Sequence, residues 1–197
     1  DAISFDNHRY IVSSDLFNSK VKILVYHKPS GEIVTSKDNA DRKTVFENLP
    51  SIIGKWINIG RLDLETSGLL LFTNNGDIAN KMMHPSSNIS RTYEVLIKGS
   101  FTDIKKNKCL NGLDIGMSET GKFDSVEKCN TTDKKYIVTL KTGKNREVRR
   151  VFRSVDCIVI NLKRIQYDNI HLENLIAGGY RYLTDTEIKS LSISIIK

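Results

Sequence analysis

Gly60-Arg61-Leu62-Asp63-Leu64-Glu65-Thr66-Ser67-Gly68-Leu69-Leu70-Leu71-Phe72 sets one carboxylate between two apolar runs, the earlier being Trp56-Ile57-Asn58-Ile59. Residues 56–62 and 69–73 read as two strands with a polar connection, which puts Asp63 on a loop at the rim of a sheet. A carboxylate there is partly desolvated, and a partly desolvated acid is a candidate for chemistry. Taken alone, an Asp in a loop is more often a turn or cap residue, because its short side chain bonds its own backbone. Thr66, Ser67 and Gly68 shape the turn, and Gly68 permits close approach of another backbone.

Working outward, residues 21–26 form an apolar strand and Lys28-Pro29-Ser30-Gly31 a turn, while residues 44–49 give a helical turn stopped by Pro50. Asn74-Asn75-Gly76 is a turn signal, with Asp77 the expected cap of a short helix to Met83 that His84-Pro85 ends. Strands are expected at residues 92–97, 123–127, 136–140, 157–165 and 181–183, and helices at 102–110, 145–155 and 184–191. Several strands with interspersed short helices and hairpin-like turns make the fold class α+β with a largely antiparallel sheet. Residues 1–20 hold one short strand, Tyr10-Ile11-Val12, and are set apart from residues 21–197, which form the main domain.

The chain has 197 residues, 30 basic against 23 acidic, for a net charge of +7, which favours a polyanionic partner. The charge is focused. Lys141, Lys144, Arg146, Arg149, Arg150 and Arg153 share thirteen residues with a single acid, Glu147, so this segment carries +5. On a helix from Asn145, Arg146, Arg149, Arg150 and Arg153 fall on one face and Val148, Val151, Phe152 and Val155 on the other. Four arginines without an interleaved acid repel one another unless an anion lies near, so the face is expected to meet phosphates and Asp63. Lys28, with Pro29, and Lys81 read as phosphate contacts or as solvated lysines.

Cys109, Cys129 and Cys157 lie far apart, which argues against a disulfide framework or a zinc site and fits a reducing compartment. His8, His27, His84 and His171 show no metal spacing. No apolar run approaches the roughly 18 residues of a membrane span, and no N-terminal targeting pattern appears, so a cytoplasmic monomer without metal or cofactor is expected.

The stretch GRLDLETSGLLLFTNNGD resembles the signature of the pseudouridine synthases, which detach a uracil from its ribose in RNA and reattach it through carbon. His27-Lys28-Pro29-Ser30-Gly31-Glu32-Ile33-Val34, Met83-His84-Pro85, Arg91-Thr92-Tyr93-Glu94-Val95 and Gly143-Lys144-Asn145-Arg146-Glu147-Val148-Arg149-Arg150 resemble, in order, the branch acting on ribosomal RNA, and its large-subunit members most. The likeness runs from about Lys22 to Thr184. It implies the family's catalytic fold over residues 21–197, and makes residues 1–20 an extension or the remnant of a small RNA-binding domain. It also implies uridine isomerisation in large-subunit ribosomal RNA, with no cofactor.

By resemblance Asp63 is the catalytic carboxylate, either a nucleophile on the sugar or the base of a glycal route, and the motif does not choose between them. Arg149 is the position that pairs with it and keeps it ionised. Tyr93 stacks on the target base, and Arg61 fills the gap left by the extruded uridine. Lys28, Lys144, Arg146, Arg150 and Arg153 are the further candidates for RNA contact. Asn75 stands where relatives commonly have Asp, and Thr142 where they commonly have Glu. A non-catalytic RNA-binding or ribosome-assembly factor on the same fold is the alternative from another class; the intact trio argues against it. A metal-dependent nuclease lacks the second carboxylate cluster that two cations need.

Overall fold

Apolar runs without alternation are what a strand covered on both faces requires, and the two strands that carry the candidate loop have them. Leu24 and Tyr26 of β3 (Ile23–Lys28) and Leu70 and Phe72 of β5 (Ser67–Thr73) enter one core, while Ile23, Val25, Leu69 and Leu71 enter a second core on the opposite face. The computed structural model describes residues 2–6, 8–11, 20–38, 40–129 and 134–191.

The other strands are β1 (Ala2–Phe5), β2 (His8–Ile11), β4 (Ile57–Ile59), β6 (Arg91–Lys98), β7 (Leu113–Asp114), β8 (Thr120–Gly121), β9 (Ser125–Lys128), β10 (Lys135–Leu140), β11 (Ile158–Tyr167), β12 (Ile170–His171) and β13 (Tyr180–Tyr182). The helices are α1 (Gly76–Met83), α2 (Asp103–Asn111), α3 (Glu147–Arg153) and α4 (Asp185–Ser190), with 3-10 turns at Val45–Asn48 and Pro85–Ser87.

One sheet, ordered β13-β3-β5-β11-β6-β10-β9, organises the molecule, with β12 added beside β11 and β4 beside β5. Its pairings are antiparallel except that of β5 with β11, which is parallel and aligns Ser67 with Lys163 and Gly68 with Arg164. The expected α+β class with a largely antiparallel sheet is therefore the observed one. The strand expected at residues 21–26 runs instead to Lys28, because its ladder with β5 continues to the Lys28–Gly68 pair. Of the short strand read at residues 10–12, Tyr10 and Ile11 lie in β2, which pairs with β1; Val12 lies outside the described residues.

Two helix ends differ from expectation. Asn75, not Asp77, caps α1, its side chain accepting from the Ile78 amide at 3.0 Å; Asn serves as well as Asp there, because the cap uses a carbonyl-type oxygen. The basic helix begins at Glu147 rather than Asn145, because Arg146 sits in the left-handed region at φ 48° as its N-cap. Val148, Val151, Phe152 and Val155 are buried in the same core as Tyr93, as the apolar stripe requires.

Candidate active site

The loop between β4 and β5 is shaped by its own turn and by a strand beneath it. The Thr66 amide donates to the Asp63 carbonyl at 3.0 Å, and the Gly31 amide of the 28–31 turn donates to the Leu64 carbonyl at 2.8 Å. Lys28 is fully buried at 0% exposure, and its ammonium donates to the carbonyls of Pro29 at 2.9 Å, Leu64 at 3.3 Å and Thr66 at 2.9 Å. The expectation of a phosphate contact at Lys28 is thus corrected. An ammonium enclosed by three carbonyls cannot meet RNA without opening the sheet, and its visible work is to tie down the Asp63 loop.

Burial pushes the Lys28 ammonium down to about 8, against the pull of Glu32 and Asp63, which favours its charged form. The unfolded chain keeps this proton to near the ordinary 10.5, so stability rises with pH between about 8 and 10.5. Below pH 8 both states are protonated and the folded state carries the whole penalty, about 3 kcal/mol. Lys28→Met should abolish that alkaline gain while slowing any reaction at Asp63 by about 10- to 100-fold through a loosened loop. Denaturant unfolding at pH 7.5 and 9.5 checks the first part; an unchanged gain in the variant refutes it.

Asp63 opens into a cavity of about 490 Å³ that Arg61, Tyr93, Arg146, Lys144, Arg91 and Arg164 also line. That volume lies within the roughly 300–1,000 Å³ typical of small-ligand sites, large enough for one extruded nucleoside. Tyr93 comes from the middle of β6 and is 9% exposed, so its ring is set by the core on one side and faces the cavity on the other. Arg61 is exposed at the mouth.

The arginines of the basic segment divide their work. Arg146 approaches Asp63 at 3.7 Å and Glu65 at 3.6 Å, whereas Arg149 pairs with Glu65 at 3.8 Å and donates to the Val159 carbonyl at 3.2 Å. The contact with Asp63 expected of Arg149 is made instead by Arg146, the N-cap residue of α3. Arg149 still acts on Asp63 electrostatically. Burial lowers its pKa and the charge of Glu65 raises it, opposed by Arg146, with a smaller raising contribution from Asp63; its Nε is buried without a hydrogen-bond partner.

Arg150 faces elsewhere, binding Glu119 at 2.6 Å and the carbonyls of Ile115, Gly116 and Asn145, so its donors are spent on the fold rather than aimed at phosphates. Lys144 donates to the Thr120 carbonyl at 2.5 Å, and Arg153 is exposed on the outer surface of α3. The acids that relieve the arginine face come from other segments, which spacing within the helix could not reveal. Thr142, at the position where Glu was the commoner residue, donates to the buried Glu147 at 2.6 Å.

An acid, an aromatic ring and several guanidinium groups thus meet at one cavity, in the order the motifs set. The sequence model of the RNA pseudouridylate synthase family matches residues 22–154. The chain belongs to that family. It is 39% identical over 98% of its length to the ribosomal large subunit pseudouridine synthase B of Pseudomonas aeruginosa, and spans 50% of that protein. It is 42% identical over 86% of its length to the protein of the same name from Vibrio vulnificus, spanning 54% of it. The chain therefore covers about half the length of these pseudouridine synthases. A solved pseudouridylate synthase superposes with a TM-score of 0.78 at 25% identity, over 88% of this chain and 74% of that one.

Two cavity residues were not singled out by sequence. Arg91 lies inside a quoted motif without an assigned role, and Arg164 lies in the strand expected at residues 157–165, with no role assigned to it. Only the register of β11 against β5 and β6 places Arg164 beside Gly68 and Tyr93. Among the described residues no helix is long and apolar enough to cross a membrane.

Proposed function

We propose that this chain isomerises uridine to pseudouridine in RNA, with Asp63 as the catalytic carboxylate, Tyr93 stacked on the target base and Arg149 in support of the acid. The observation that carries the reading is the convergence of Asp63, Tyr93 and the basic edge on one nucleoside-sized cavity. The reaction breaks the bond from ribose C1′ to uracil N1, turns the ring, and joins C1′ to C5; the proton lost from C5 is balanced by one gained at N1. A charged Asp63 serves either as the group that attacks C1′ or as the base that takes a sugar proton. Arg146 lies 3.7 Å from its carboxylate, and Arg149 adds positive charge nearby.

The substrate we propose is large-subunit ribosomal RNA, following the printed names of the relatives. The test is incubation of the full chain with large-subunit RNA in excess EDTA, with carbodiimide labelling to map pseudouridine. New label at one uridine supports the reading. No label on any ribosomal RNA overturns it, and activity that returns only with added zinc or magnesium overturns its cofactor-free part.

RNA contact by the basic segment should be read in the salt dependence of affinity. Arg153→Ala, far from the acid, should flatten the slope of log affinity against log salt by roughly 0.7–0.9 and leave turnover unchanged. Arg146→Ala should flatten it similarly and also slow turnover, since Arg146 touches Asp63. An unchanged slope in both variants would remove the arginine face from the RNA interface.

A further inference from the structure

Among the described residues, two cavity-lining guanidinium groups that pack against one buried ring have no ion-paired acid. Among the described residues the arginine ion pairs belong to Arg42, Arg146, Arg149, Arg150 and Arg181, and neither Arg91 nor Arg164 has one. Both lie over the same ring, Arg91 at 5.0 Å and Arg164 at 5.2 Å from the centre of Tyr167. Two like charges packed against one aromatic ring, both lining the cavity, favour an anion or a strong acceptor nearby.

Arg91 spends its donors on the Ile89 and Lys141 carbonyls at 2.9 and 2.8 Å and on the Tyr167 hydroxyl at 3.3 Å. Arg164 does not. It is 2% exposed, its Nε donates to the Leu69 carbonyl at 2.7 Å, and its Nη2 is buried with no hydrogen-bond partner. Arg164 is the register partner of Tyr93 across β6 and β11, so the two side chains leave the sheet on the same face, toward the cavity both line.

We infer that Arg164 is a further catalytic residue: its Nη2 donates to a carbonyl oxygen of the extruded uracil and stabilises the uracil anion while the base is detached from the ribose. The inference rests on the isomerase reading above. When the N1–C1′ bond breaks, its electron pair passes to the uracil ring, and the charge spreads from N1 onto the carbonyl oxygens until C5 bonds to C1′. A donor fixed in place before the reaction, aimed where charge develops, is an effective means of holding such an intermediate. A phosphate is the poorer occupant, since it is better met by the exposed cavity cations Arg61 and Arg146 than by Arg164, which is 2% exposed.

The experiment uses RNA oligonucleotides carrying uridine, 2-thiouridine or 4-thiouridine at the uridine mapped above, since sulfur is a weak hydrogen-bond acceptor. Wild-type single-turnover rates should fall about 10-fold with sulfur at the contacted carbonyl and little at the other. Arg164→Gln should slow uridine about 100-fold and erase that sulfur penalty. Arg164→Lys, which keeps the charge and a donor, should fold even where the Gln variant does not and should fall between the two. A purely structural role slows all three substrates equally and keeps the penalty, which overturns the inference. So does a variant whose salt slope changes while the penalty stays, since that marks a phosphate contact. No penalty at either carbonyl in wild type overturns it without any variant. Absence of isomerisation on plain uridine is a different failure, that of the isomerase reading itself.

Discussion

Asp63→Asn is expected to lower pseudouridine formation by at least about 10⁴-fold, the scale of losing a group on which the chemistry turns. The amide keeps the volume and can accept a hydrogen bond, but it cannot carry the charge that either route to the detached sugar demands. Stability should hardly move. The Arg146–Asp63 contact is 3.7 Å long between side chains 45% and 32% exposed, and ion pairs of that kind are worth about 1 kcal/mol or less. Affinity for RNA should also persist, because removing one negative charge from a basic rim does not weaken attraction to phosphate. The measurement is a pair: single-turnover isomerisation, and denaturant unfolding of the same preparation. A variant that turns over at more than about a hundredth of the wild-type rate would remove Asp63 from the chemistry.

How much of this was legible beforehand depends on whether the deciding contact is local. The strands β3 and β5 stand out because strands buried on both faces need unbroken apolar runs, and few other segments of the chain have them. The pairs β7–β8 and β11–β12 do not stand out, since two-residue strands have no period to detect. The basic helix was read two residues too early at Asn145, because a helical spacing of charges cannot report that Arg146 takes a left-handed backbone.

The site divides in the same way. Asp63 and Tyr93, which line one cavity, each sit in a motif whose residues lie close along the chain. Lys28 is neither a phosphate contact nor a solvated lysine because its three acceptors are carbonyls, which every residue has, and two of them belong to a loop more than thirty residues away. Arg164 was missed because its meaning lies in a parallel register with Gly68 and an antiparallel one with Tyr93. Of two arginines in one motif, Arg146 meets Asp63 and Arg149 meets Glu65, a choice that residue spacing does not make.

Gly68→Ala should be the most destabilising single-atom change in the site, at about 4 kcal/mol or more. Gly68 has φ +107°, and a Cβ there would fall against the carbonyl oxygen of Arg164 and 2.6 Å from its amide nitrogen. Both are backbone atoms of the parallel β5–β11 pairing, so neither can swing aside as a flexible side chain would. The methyl group can be admitted only if the two strands part at the Gly68–Arg164 pair, and that pair joins the Asp63 loop to the strand carrying Arg164. A loss of that size is a large share of the 5–15 kcal/mol that a domain ordinarily has. Gly54→Ala is the control, because Gly54 has φ +91° with nothing within 4 Å of the added carbon. It carries the left-handed strain alone and should cost about 1–2 kcal/mol. Denaturant midpoints of the two variants separate strain from collision. If Gly68→Ala costs no more than Gly54→Ala, the close approach of β5 to β11 is not what holds the candidate loop against the sheet.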